Sequence, residues 1–224
     1  MNAYLSTLSE HEVRIPCAGA ILHGDVSIPA GATALVIFAH GSGSSRLSPR
    51  NRLVAGEMQR RNLATLCFDF LTPEESMSEA RSGALRFNIP LLTERLLAAT
   101  HWAKQDEHVG KMALGYCGAS TGAAAALVAA SKSPEVKAVV SRGGRTDLVG
   151  DAIAQVAVPT LLIAGELDFP VIRWNEESLA RLRGAKRLTL IKGATHLFGE
   201  PHALEEVAVL AADWFDTYLI KNIK

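Results

Sequence analysis

A chain of 224 residues, 48% of them hydrophobic, can bury one sizeable core and hardly two independent ones, so a single domain over 1–224 is expected. Lys plus Arg (23) balances Asp plus Glu (23), which gives no electrostatic pull toward nucleic acid or an acidic membrane and directs attention to small molecules. The three cysteines are odd in number and lack metal-ligand spacing. The opening "MNAYLSTLSE" has no basic stretch before an apolar one, and no run approaches the roughly 20 apolar residues that span a bilayer, so a soluble, cytoplasmic protein is expected.

Short apolar runs alternate with longer amphipathic ones, the pattern of parallel strands joined by crossover helices. "EVRIPC" and "AILHGDVSIP" predict an antiparallel pair at the sheet edge. Further strands are predicted at 33–40, 64–70, 111–117, 136–142, 159–166 and 186–192, several apolar at consecutive positions as strands covered on both faces should be. Helices are predicted near 49–62, 89–106, 121–132, 173–183 and 202–221. In the last, Leu204, Val207, Ala211, Trp214, Phe215 and Tyr218 share one face. The polar stretch "TPEESMSEARSG" (72–83) reads as a surface loop.

In such a sheet, reactive groups gather at the carboxyl ends of strands. "KMALGYCGASTG" runs from a strand into an Ala-rich helix and holds two candidate nucleophiles, Cys117 and Ser120. A nucleophile in that turn needs very small residues two before and two after it. Ser120 has Gly118 and Gly122, and Cys117 has Gly115 and Ala119. The run "AAAALVAA" beyond Ser120 is ready to be helix, whereas a helix begun after Cys117 would carry two glycines at about 1 kcal/mol each. Ser120 is therefore the predicted nucleophile, and Cys117 a small buried residue at a strand end.

A serine hydroxyl needs a base, and the base an orienting acid. Asp168 comes just after the strand in "PTLLIAGE" and His196 just after the one in "KRLTLIK", so nucleophile, acid and base stand in the order Ser120, Asp168, His196. Asp147, past the preceding strand, competes for the acid role, and His202 competes weakly for the base. The oxyanion donors expected for acyl transfer are the Thr121 amide and, from "VIFAHGSGSSR", the Ser42 amide, with Gly41 and Gly43 as neighbouring choices. The same loop lacks the Lys-Ser/Thr ending of a phosphate-binding P-loop. His40 reads as a residue that fixes the loop.

These stretches, with "ATLCFDFLTPEE", "AVVSRGGRTDL", "PTLLIAGELDFPV" and "GATHLFGEP", resemble the α/β-hydrolase superfamily and, within it, the dienelactone-hydrolase-like family. The resemblance runs from about residue 33 to the last helix. It implies an α/β-hydrolase fold: a mostly parallel central sheet, helices on both faces and no large cap domain. It also implies a serine hydrolase acting on ester bonds of small molecules without metal or organic cofactor. Dienelactone hydrolases use cysteine in G-x-C-x-G, where this chain has serine, so lactone hydrolysis through Cys117, acyl transfer to another acceptor and ligand binding without turnover stay open. The short stretch from Arg142 to Pro159 leaves no room for a cap, which predicts an open site and short acyl groups. Arg46, Arg142 and Arg145 are placed either to pair with a substrate carboxylate or to hold loops. The oligomeric state is not legible.

Overall fold

The computed structural model describes residues 8–221, the side chains of 80–82 excepted. The opening segment, expected to carry no leader, lies largely outside these residues. Strands β1 (Leu8–Cys17) and β2 (Ala20–Pro29) form an antiparallel hairpin, register Leu8 with Pro29 through Cys17 with Ala20. Its two turn residues, Ala18 and Gly19, both have positive φ, as a tight hairpin turn demands.

The remaining six strands are β3 (Ala34–Ala39), β4 (Ala64–Phe68), β5 (Ala113–Ala119), β6 (Val136–Arg142), β7 (Thr160–Gly165) and β8 (Lys186–Ile191). Together they make one eight-stranded sheet with the hairpin, ordered β1-β2-β4-β3-β5-β6-β7-β8. β2 meets β4 antiparallel, and every pair from β4 through β8 is parallel. The carboxyl ends of β3 to β8 therefore lie along one edge. β3, β4 and β7 are buried at every position, which explains why their sequences do not alternate.

The helices are α1 (Pro49–Arg60), α2 (Pro73–Ser82), α3 (Ile89–Gln105), α4 (Thr121–Lys132), α5 (Phe169–Arg181) and α6 (Ala203–Phe215). One core cluster joins Leu96, Ala99 and Ala103 of α3 and Ala124 to Leu127 of α4 to Leu35, Ile37 and Tyr116 of the sheet. The other joins Val54 and Met58 of α1 and Val207, Ala211 and Phe215 of α6 to Val36, Phe38, Cys117 and Val140. Each buried Leu, Val, Ile or Phe side chain removes enough apolar area from water to contribute about 1.5–3 kcal/mol before chain entropy is counted. Helix α4 is alanine-rich because it packs closely between sheet, α3 and the segments after β6.

Three departures from expectation exceed two residues. The stretch 72–83 holds helix α2, not a loop. Thr72 Oγ1 accepts from the Glu75 amide while the Glu75 carboxylate accepts from the Thr72 amide, Pro73 stands in the first turn, and Gly83 ends the helix at φ 66°. Helix α5 starts at Phe169, ahead of the expected 173, because Pro170 in the first turn suits a helix start. The last helix ends as α-helix at Phe215, and 216–221 continue with wider π-type turns. Between β6 and β7 the chain makes two short 3-10 segments, Thr146–Leu148 and Gly150–Gln155, and no cap. No helix among the described residues is long and apolar enough to cross a membrane.

Candidate active site

At the end of β5 the chain reverses at Ser120, which adopts φ 49°, ψ −118° and N-caps α4 without a side-chain capping bond. Such a conformation costs a non-glycine residue about 1–3 kcal/mol. It is held by the Ser120 amide donating to the Arg142 carbonyl (3.1 Å) and the Ser120 carbonyl accepting from the Arg145 and Ala123 amides (3.1 Å each). The flanking glycines are there for lack of space. A Cβ on Gly118 would lie 2.8 Å from the Ala123 nitrogen, and one on Gly122 2.6 Å from the Ala39 carbonyl carbon and closer still to the Ala39 and His40 oxygens.

Gly115, which makes Cys117 resemble a second elbow, has another reason: a Cβ there would lie 2.7 Å from Cε1 of Phe215. It is the slot through which α6 seats its ring on the sheet. Cys117 belongs to the same buried cluster as Phe215, and burial pushes its thiol up to about 12. At neutral pH it is a protonated, inaccessible thiol.

The loops after β7 and β8 bring two more side chains to Ser120. His196 Nε2 lies 3.3 Å from Ser120 Oγ, and His196 Nδ1 lies 2.6 Å from Asp168 Oδ2. Asp168 is placed by its own amide donating to the Gly165 carbonyl (3.0 Å) and by its carbonyl accepting the first bond of α5. The His196 loop is pinned by buried Phe198, whose amide donates to the Thr195 carbonyl, and by Thr195 Oγ1 donating to Glu200 (2.6 Å). Gly143 lies against His196 at φ 55°, a left-handed backbone that favours glycine, and a Cβ there would lie 3.2 Å from the His196 carbonyl oxygen.

Asp147 instead receives both arms of Arg145 (2.9 and 2.8 Å), and Arg145 lies 4.8 Å from the Trp174 ring centre. His202 begins α6 at φ 66° and is exposed. Neither joins Ser120.

The loop after β3 curls over the elbow, and a Cβ on Gly41 would touch Ser120 Cβ at 3.1 Å. His40 anchors it, with Nδ1 donating to the Gly41 carbonyl (2.9 Å) and Nε2 accepting from the Phe70 amide (3.1 Å). Burial pulls the His40 pKa down, in keeping with the neutral ring that accepts at Nε2. Ser42 and Thr121 both line a cavity of about 540 Å³ with Leu47, Phe70, Leu71 and Leu92. Neither the Ser42 nor the Thr121 amide has an acceptor among the described residues.

This cavity also bears on the expectation of short acyl groups. Ser76 and Glu79 of α2 line it, so the stretch expected to be a loop builds a wall of the groove. A smaller cavity, about 140 Å³, holds Ser120 and His196 themselves with Ser44, Ser48, Arg50, Asn51 and Arg142.

Of the arginines expected near substrate, Arg46 is turned away. Its Nη1 donates to Asp69 (2.7 Å), its Nε to Asp25 (3.3 Å) and its Nη2 to Glu12 (3.4 Å), and it lines neither cavity. That is a correction with a plain cause, since three acids on neighbouring strands and loops outcompete a ligand. Arg142 does line the smaller cavity. Arg50, Asn51 and Gly143 were missed by sequence reasoning. The only signal for the first two was "SPRN" opening a helix just after the glycine-serine loop.

The crossover topology, with a serine elbow after β5 and acid and imidazole after β7 and β8, is that of an α/β-hydrolase fold. The chain belongs to the dienelactone hydrolase family, whose profile matches residues 74–218. It is similar to the crystal structure of a dienelactone hydrolase from Anabaena variabilis, 52% identical, TM-score 0.93, covering 95% of this chain and 99% of that one. The esterase domain of a Rhodothermus marinus protein shares the fold at 20% identity, TM-score 0.73, over 94% of this chain and 99% of that chain. Two curated Mycobacterium tuberculosis proteins provisionally named phosphoribosyl transferases are 47% identical over 213 residues, 95% of this chain and 47% of theirs. The chain thus spans about half the length of the curated relatives it matches.

Proposed function

We propose that the chain is a serine hydrolase that cleaves ester bonds of small molecules through Ser120, His196 and Asp168. The observation that carries this reading is the unbroken line from Ser120 Oγ to His196 (3.3 Å) and from His196 to Asp168 (2.6 Å) on a strained strand-to-helix turn. In this mechanism Asp168 accepts from His196 Nδ1–H, which leaves Nε2 as the lone-pair nitrogen facing Ser120. His196 takes the Ser120 proton as Oγ attacks the carbonyl. The oxygen that becomes negative is met by the Ser42 and Thr121 amides, the second reinforced by the start of α4. The proton passes from His196 to the departing alcohol, and water, deprotonated by the same imidazole, releases the acyl group and regenerates Ser120.

The test is covalent labelling by a fluorophosphonate together with hydrolysis of a p-nitrophenyl ester. Ser120→Ala should abolish both, and Cys117→Ser should spare both. Loss with Cys117→Ser and survival in Ser120→Ala, in folded proteins, would move the nucleophile to the cysteine. Labelling of Ser120 without turnover in water would point to another acyl acceptor.

A further inference from the structure

Arg142 ends β6 next to the nucleophile, its carbonyl accepting from the Ser120 amide. The residue is only 7% exposed, yet one neutral bond is its side chain's sole partner among the described residues: Nη2 donates to Asn51 Oδ1 at 2.8 Å. A guanidinium has five N–H donors and stays charged in proteins, and buried charges are ordinarily paired. No carboxylate lines the cavity that holds Arg142, Ser120 and His196, and Arg50, which also lines it, has no ion-pair partner among the described residues. The contrast with Arg46, Arg86, Arg95 and Arg145, each paired with an acid, is sharp. Two guanidinium charges therefore face one small cavity. Ser44, Ser48 and Asn51, at and just before the start of the twelve-residue helix α1, also line it, as do Gly41, Ser42, Ala119 and Leu197. Burial first, and the adjacent Arg50 charge after it, pull the Arg142 pKa down, the direction expected of a cation lacking its counter-ion.

We propose that this cavity is a phosphate subsite, in which Arg142 and Arg50 bind a phosphate monoester carried on the alcohol part of the ester that Ser120 cleaves. A dianion neutralises both guanidinium groups where a carboxylate would neutralise one. A tetrahedral group with three terminal oxygens can take donors from Arg142 on one side and from Arg50 and the serine hydroxyls on the other. The acyl part then falls in the larger cavity, against Leu47, Phe70, Leu71 and Leu92; Arg50 lines both cavities, and the acids of the larger one, Asp69 and Glu79, are already paired with Arg46 and Arg86. The alcohol's role as leaving group rests on the hydrolase reading; the anion site itself does not.

The first test is calorimetric titration of the intact protein with inorganic phosphate, acetate and chloride at matched ionic strength. Phosphate should bind and acetate should bind about tenfold more weakly or not at all. Arg50→Gln, at an exposed position that does not threaten folding, and Arg142→Gln should each weaken phosphate binding about ten- to a hundredfold, the scale of one charged hydrogen bond. Arg173→Gln, on the exposed face of α5, should change nothing. The second test compares kcat/KM for 1-acetylglycerol 3-phosphate, neutral 1-acetylglycerol and an acetyl ester bearing a carboxylate. The phosphate ester should be preferred over both, through KM; Arg50→Gln should erase that preference and Arg173→Gln should keep it. Phosphate binding no better than chloride, or binding untouched by Arg50→Gln and Arg142→Gln, overturns the subsite. So does preference for the carboxylate ester. If no ester turns over and Ser120 resists labelling, the hydrolase reading fails, and the titration alone decides the subsite.

Discussion

Replacing Gly122 by alanine, and separately Gly115 by alanine, separates the two small-residue positions that made the elbow ambiguous. Gly122 lies in the first turn of α4, where alanine by itself would favour the helix by up to about 1 kcal/mol. Its added Cβ would nevertheless stand 2.6 Å from the Ala39 carbonyl carbon. Carbon atoms at ease stay about 3.5–4.0 Å apart, so strand end and helix must part by roughly 1 Å. The obstacle is backbone, which cannot rotate away, and it leads within three residues to Ser42. A 1 Å misplacement at a reacting centre costs on the order of a hundredfold in rate, and overpacking about 1–3 kcal/mol in stability. At Gly115 the new Cβ meets the Phe215 ring edge at 2.7 Å and Leu219 Cδ1 at 3.0 Å, side-chain ends that belong to neither the elbow nor the loops carrying Asp168 and His196. Gly115→Ala should therefore lose a similar 1–3 kcal/mol, about 2–12 °C in Tm at this chain length, yet keep turnover within about twofold. The assay is thermal unfolding alongside kcat/KM on a p-nitrophenyl ester. A folded Gly122→Ala protein with full turnover, or a Gly115→Ala protein that loses turnover as heavily as Gly122→Ala, would refute the geometric account of the elbow.

Asp168→Asn should lower kcat about 10³–10⁴-fold by presenting an N–H or a neutral acceptor to His196 Nδ1, while Asp147→Asn, which only frees Arg145, should leave kcat nearly unchanged. Steady-state kinetics on the two variants decides between them. The lowered pKa of buried His40 means that, below its ordinary value of about 6.5, the unfolded chain holds a proton the folded one refuses. Stability should then rise with pH toward 6.5 and level off above it. In urea unfolding at pH 5–8, His40→Gln should lack this component, worth at most about 1.4 kcal/mol per pH unit. With the larger cavity lined by Leu47, Phe70, Leu71 and Leu92, kcat/KM should climb from acetyl to butyryl esters, by up to about fourfold per methylene, at ~0.8 kcal/mol each. A flat or falling series would show that the cavity does not take the acyl chain.

Much of the fold was legible because its signals are local. Consecutive apolar residues in β3, β4 and β7 announce strands buried on both faces, and the spacing of Leu204, Val207, Ala211 and Phe215 announces a one-sided helix. The positions of Ser120, Asp168 and His196 after successive strands were readable for the same reason, since chain order at strand ends needs only the strands. Helix α2 was written in the sequence too, in Thr72, Pro73, Glu75 and Gly83, but its polar surface hid it from a reading based on hydrophobic period.

The arginines were beyond such a reading. Arg46 and Arg142 look alike in one dimension, because a guanidinium reaches far enough to meet groups dozens of residues away, and local sequence does not say which acids stand there; only Arg145 has its partner close by in the chain. Tertiary structure gives Arg46 to Asp69 and Asp25, Arg145 to Asp147, and among the described residues leaves Arg142 with Asn51 alone. Gly115 is of the same kind, a glycine whose cause is a ring one hundred residues later. Pattern and order along the chain determined the class of fold and the candidate nucleophile, acid and base. Which charges are spent on the scaffold and which face the cavity was decided by packing, where a side chain's partner is whatever the fold brings within about 3 Å.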